Sequence, residues 1–170
     1  MIRYKAAAVL LALAVAVSLC GCGSREGEQG SEPSAQSAAE QLAAASELMD
    51  KLEQSGLCPE LDERADIGSD EFATACDKLY GESADKFSDG GIMFVSSGAT
   101  ADELSVLKSD SADCAELLEQ RRQRRYKDFE GYAPAELDKI EKARIFTAGG
   151  LTVMVISDKA EEVERLLGRE

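Results

Sequence analysis

Histidine is missing from all 170 residues. Its absence removes Ser-His-Asp and Cys-His nucleophilic machinery, and with it His-ligated zinc or haem. The commonest general base near neutral pH is therefore not available, although carboxylate, lysine or tyrosine chemistry is not excluded. Tryptophan is absent too. No Gly-Lys-Ser/Thr phosphate loop, no Cys-x-x-Cys pair and no nucleophile elbow occurs. The sequence calls for no catalytic residue, no metal and no cofactor.

Long apolar runs are equally scarce, with one exception at the start. Arg3 and Lys5 precede fourteen apolar or small residues, Ala6 to Leu19. This is the basic n-region and short h-region of a secretory signal peptide. As a helix it would rise about 21 Å, short of the roughly 30 Å hydrocarbon core. Leu19-Cys20-Gly21-Cys22 follows and resembles the bacterial lipobox. The resemblance implies cleavage between Gly21 and Cys22 and diacylglycerol on the Cys22 thiol. Cys20 is the weaker candidate, because Leu19 before it is too bulky for the small-residue position. An ordinary secreted protein and an uncleaved signal anchor are the plainer alternatives. Two acyl chains anchor stably where one is marginal. The expected location is thus the cell membrane, lipid-anchored and facing outside the cytoplasm.

Removing residues 1–21 takes away Arg3, Lys5 and no acid, leaving 17 basic and 33 acidic side chains and a formal charge of −16. Such acidity argues against a nucleic-acid partner. The expected partners are the membrane, through Cys22, and an envelope protein. Residues 22–36 are polar and Gly/Ser-rich and read as a flexible tether after the lipidated cysteine. Residues 37–168 are long enough for one domain with a real core.

Within that domain, Ser37-Ala38-Ala39-Glu40 is a capping-box pattern opening a helix through Leu42, Ala45, Met49 and Leu52 to Gly56. Residues 60–70 read as an acidic loop. It fails the EF-hand spacing, so solvated acids are the simpler reading. Ser69 caps a second helix ending at Gly81. Gly90-Gly91 lead into the β-type run Ile92-Met93-Phe94-Val95. Thr100 to Glu103 reads as one capped turn feeding a strand through Lys108. Asp110 or Ser111 caps a long helix to Gly131, and Pro134 starts another to about Ala143. Ala148-Gly149-Gly150 is the clearest hairpin signal, and Leu151 to Ile156, apolar on both faces, is expected to be a central strand. Ser157-Asp158 caps a last helix. The fold class is α+β: a single small domain with an antiparallel sheet of about four strands and helices packed on it.

From about residue 94 to residue 167 this order resembles the bacterial domain-of-unknown-function family numbered 4358, whose members are typically lipoproteins. The residues that carry it are Thr100-Ala101-Asp102-Glu103-Leu104 with Lys108, Arg121-Arg122-Gln123-Arg124-Arg125, Phe129-Glu130-Gly131-Tyr132-Ala133-Pro134, and Gly149 through Asp158. The family implies no activity and no site residues.

Three cysteines remain beyond Cys22, so export permits one internal pair. Cys58–Cys76 is the expected disulfide, with Cys114 a small buried hydrophobe. A reduced state for all three stays open. Arg121, Arg122, Arg124 and Arg125 form a basic cluster in an acidic protein. They suit a helix C-terminus and pairing with Glu116 and Glu119, or else a docking patch for an acidic partner. The functional expectation is a binding or interaction module of the cell envelope. A small envelope hydrolase or lyase using Asp/Glu carboxylates is the alternative.

Overall fold

The computed structural model describes residues 44–168. Cys22, Gly21, the tether and the Ser37 cap lie outside them. Along the described chain run α1 (Ala45–Ser55), β1 (Glu63–Asp66), α2 (Asp70–Ala75) continued by a π-turn (Cys76–Tyr80), β2 (Asp89–Phe94), β3 (Glu103–Lys108), α3 (Cys114–Glu130), α4 (Leu137–Glu141), β4 (Arg144–Ala148), β5 (Leu151–Ile156) and α5 (Ala160–Leu167). Short 3₁₀ turns sit at Ala84–Lys86 and Pro134–Glu136. The fold is α+β, a single small domain on one open antiparallel sheet. No helix among the described residues is long and apolar enough to cross a membrane.

The sheet order is β1-β2-β3-β5-β4, and every pairing is antiparallel. It has five strands where about four are expected. The extra one is β1, inside the stretch read as an acidic loop. Its charges hide it: Ala65 alone is buried, while Arg64 binds Asp66, Asp50 and Glu53 at the sheet edge. Short, charged edge strands also resist pairing with other chains.

Helices cover both faces, so the core is split by the sheet. On one side Met93, Leu104, Val106, Val153 and Val155 pack with Met49 and Leu52 of α1 and Val163 and Leu167 of α5. On the other, Ile92, Leu107, Met154 and Ile156 meet Phe72, Cys76, Tyr80, Leu118, Phe129 and Ile140. Strand alternation sorts the residues between the two. The apolar run of β5, central between β3 and β4, is buried on both faces as its composition predicts. Gly90 and Gly91 make room for the helices. A Cβ at Gly90 would stand 2.9 Å from Phe72 Cζ, and one at Gly91 2.1 Å from Met49 Cε.

Several ends are set as the sequence indicates. Gly56 and Gly81 close their helices in the left-handed region, at φ of 64° and 70°. Ser69 Oγ accepts from Phe72 N at 3.0 Å. Three boundaries differ, one of them at α5, whose N-cap is Lys159 without a side-chain cap and not Ser157 or Asp158. The cap of α3 is Asp113, whose carboxylate accepts from the Ala115 and Glu116 amides, not Asp110 or Ser111. Thr100 to Glu103 form no helical turn; Glu103 already belongs to β3.

The expected Cys58–Cys76 disulfide is corrected. Both cysteines are free and buried, and the sheet separates them. Cys58 sits in the α1–α5 core, with its sulfur 3.4 Å from Ser157 Oγ, whereas Cys76 packs with Phe72 and Tyr80 on the opposite face. Cys114 is free and buried too.

Candidate functional site

A cleft of about 560 Å³ opens beside the second core layer. Its walls are one side of α2 with the π-turn (Thr74, Ala75, Lys78, Leu79) and the segment leaving β2 (Phe94, Val95, Ser96, Ser97, Gly98). Asp70 and Glu71, both exposed in the first turn of α2, stand on its lining. Glu103, Arg121 and Arg125 complete it.

These three residues arrive from fixed elements. Glu103 opens β3 on the side facing α3, and Arg121 and Arg125 are one turn apart on that helix. Glu103 is 1 % exposed. Burying a lone carboxylate would be prohibitive, and the partner is immediate. Arg121 Nε donates to both Glu103 oxygens at 3.0 and 3.2 Å, and its Nη2 donates to Oε2 at 2.5 Å. Burial works against the Arg121 cation, but the charge and hydrogen bonds of Glu103 outweigh it and hold its pKa above the ordinary value.

The network extends into the sheet. Ser105 donates to Glu103 Oε1 at 3.2 Å, and the Tyr80 hydroxyl donates to Ser105 Oγ at 2.8 Å. Burial first, and the Glu103 charge second, push the Tyr80 phenol well above its usual range.

Arg125 is held differently. Its Nη2 donates to the Thr100 carbonyl at 3.0 Å, and its guanidinium lies 4.6 Å over the Phe129 ring. Its Nε is 3.8 Å from Glu103 Oε2, an ion pair without a hydrogen bond, and that buried Nε has no acceptor. Burial and the neighbouring Arg121 lower the Arg125 pKa despite the pull of Glu103. The floor of the cleft thus holds two cations around one carboxylate that is already committed to the first.

The four arginines do not lie together on one exposed face. Arg121 is only 7 % exposed and faces Glu103. Arg122 pairs with Glu119 along its own helix at 2.6 Å. Arg124 and Arg125 are partly buried, and the Nε and Nη2 of Arg124 are shielded from water without partners. An i, i+4 repeat of arginines places long side chains on the core-facing side of α3, where their stems pack. Glu103 is the residue the sequence reading passes over, as the last of the four residues of a supposed cap. The signal for it was present in the alternation Glu103-x-Ser105-x-Leu107, which puts two polar groups on one buried face opposite a basic helix.

Next to the cleft, Lys139 of α4 bridges the buried Asp102 at 2.8 Å and Glu136 at 3.0 Å, and Glu136 also accepts from the Ala101 amide. This clamp fixes the chain entering β3, and so the position of Glu103. Two acids of the supposed loop are likewise engaged, Asp66 with Arg64 and Asp62 with Ser96. Asp62 accepts from the Ser96 amide and hydroxyl at 2.7 and 2.8 Å, which keeps its carboxyl below the usual range and pins the cleft wall.

The fold and cleft define a small, two-faced α+β domain with a recess that combines apolar walls with charged groups of both signs. The chain belongs to the family described as Domain of unknown function (DUF4358), whose model matches residues 68–157, over half of its length. The matched span takes in α2 and the π-turn, which the resemblance read from residue 94 onward leaves out. No curated protein and no solved structure matches the chain.

Proposed function

We propose that this protein is an extracytoplasmic lipoprotein, held to the membrane by a lipid on Cys22, whose domain is a binding module of the cell envelope. The observation that supports binding is the cleft itself: an apolar-walled recess of about 560 Å³ with a few convergent charged groups, the usual form of a ligand site. The arrangement of its acids speaks against carboxylate catalysis. Glu103 is tied to Arg121, and Asp70 and Glu71 stand in water at the entrance. A hydrolase of the Asp/Glu type needs two carboxyl groups facing the same bond, one of them free to take a proton. The address rests on the basic leader and the Leu19-Cys20-Gly21-Cys22 sequence.

Metabolic labelling with a fatty-acid analogue, followed by membrane fractionation, tests the anchor. The intact chain is expected to carry label and sediment with membranes, and Cys22→Ala to lose both. A Cys22→Ala chain that still carries label would remove the anchor from this reading.

A further inference from the structure

We infer that the cleft takes a ligand with a single carboxylate on an apolar body, and that the carboxylate docks on Arg125. This rests on the reading of the cleft as a binding site. Three observations point the same way.

The first is charge. Glu103 gives its two oxygens to Arg121 through three hydrogen bonds, and Ser105 takes a further share. Arg125 hydrogen-bonds one neutral carbonyl, that of Thr100, and no carboxylate. Its nearest acid oxygen is 3.8 Å away, and Asp128, the other acid acting on it, is exposed and shared with Arg121. One guanidinium at the cleft therefore has spare attraction for an anion, and a planar guanidinium matches a carboxylate.

The second is shape. Stacking on Phe129 and the bond to Thr100 fix the plane of Arg125 before any ligand arrives, which lowers the entropy cost of binding. Ala75, Leu79, Phe94 and Val95 line the remainder of the recess and suit a hydrocarbon or aromatic body.

The third is selection against greater charge. Asp70 and Glu71 outnumber Lys78, the one further cation on the lining, and so disfavour a second negative charge; a monocarboxylate is favoured over a phosphate dianion of similar size.

Calorimetric titration of the purified full chain separates the possibilities, with 3-phenylpropionate, 3-phenylpropan-1-ol and phenyl phosphate as probes. The acid is expected to bind at least about tenfold more tightly than the alcohol, the scale of one charge-assisted hydrogen bond. Phenyl phosphate at pH 8 should bind more weakly than the acid. Arg125→Met should erase the preference for the acid over the alcohol. Arg125→Lys, which keeps the charge and loses the fork, should retain part of the preference. Thr74→Trp, which fills the cleft from its exposed wall, should abolish binding of both. Equal binding of acid and alcohol, lost on Thr74→Trp, would overturn the carboxylate inference and leave the binding cleft standing. Binding of no probe would remove both.

Discussion

The Tyr80 hydroxyl, carried on the last residue of a π-turn, donates to Ser105 in the middle of the sheet at 2.8 Å, so helix layer and sheet share one proton-bearing contact inside the core. Tyr80 is 4 % exposed. A phenol in that position is strongly favoured in its neutral form.

Stability should therefore decline in alkali. Burial raises the folded-state pKa of Tyr80 above 10.0 and pushes the Cys76 thiol from 9.0 up to about 11. Both groups are neutral when protonated, and the folded chain holds those protons more tightly than the unfolded one. The contribution is thus complete below pH 9 and is lost as pH rises, from 9 to about 11 for Cys76 and from 10 upward for Tyr80. Urea unfolding at pH 7.5, 9 and 10.5 measures this. Tyr80→Phe should lose about 1 kcal/mol at neutral pH and show a shallower alkaline slope. A wild-type stability unchanged between pH 9 and 10.5 would contradict it.

The Glu103–Arg121 pair should be costly to break from one side. Arg121→Met leaves a buried carboxylate with one hydrogen bond from Ser105 and the 3.8 Å ion pair to Arg125, and a loss of about 3–5 kcal/mol is expected. The double change Glu103→Leu with Arg121→Met should recover much of that loss. Denaturant titration of both singles and the double gives the coupling. Additive losses would mean that the pair does not act as a unit.

Cys58, Cys76 and Cys114 are expected to be thiols, each with its pKa raised by burial. An aromatic disulfide reagent should label none of them in the native protein and all three after denaturation. Reductant should leave the melting temperature unchanged. A peptide map with Cys58 joined to Cys76 would refute the placement of the two on opposite faces.

The β4–β5 hairpin turns on Gly149 and Gly150, at φ of 53° and 75°. Alanine at Gly150 should cost about 1–2 kcal/mol, because an L side chain resists that region. Asparagine, which tolerates it better, should cost less. Thermal melts of the two variants check the order.

The glycine ends and the Ser69 cap matched the structure closely, because those signals are local. Ser69, Gly81 and Gly149-Gly150 each act within a few residues. β5 was legible for a different reason: apart from Thr152 it is apolar on both faces, as a strand covered on both sides should be. Apart from the misplaced caps, the failures involve partners from other elements. β1 was hidden because Arg64 and Asp66 satisfy one another and helix α1, so their charge reports an edge and not a loop. The arginines of α3 looked like a surface patch because Glu103, 18 residues earlier than Arg121, was read as part of a capped turn and not as the first residue of the strand that faces them. Cys58 and Cys76 are near in sequence and separated by a sheet that neither helps to form. The cleft inherits these errors, since it is built from α2, β3 and α3 together.

The π-turn at Cys76–Tyr80 also says something about how this chain tolerates length change. A π-turn holds one residue more than an α-turn over nearly the same rotation, so it behaves as a single-residue insertion absorbed by a helix. Asp77 and Lys78, the exposed residues inside it, are where that surplus can be removed. A chain shortened by one residue there could close into an ordinary α-turn and still deliver its tyrosine to Ser105. Two chains differing by one residue at this point would then share the same buried network, with the difference in length confined to the solvent side of the helix.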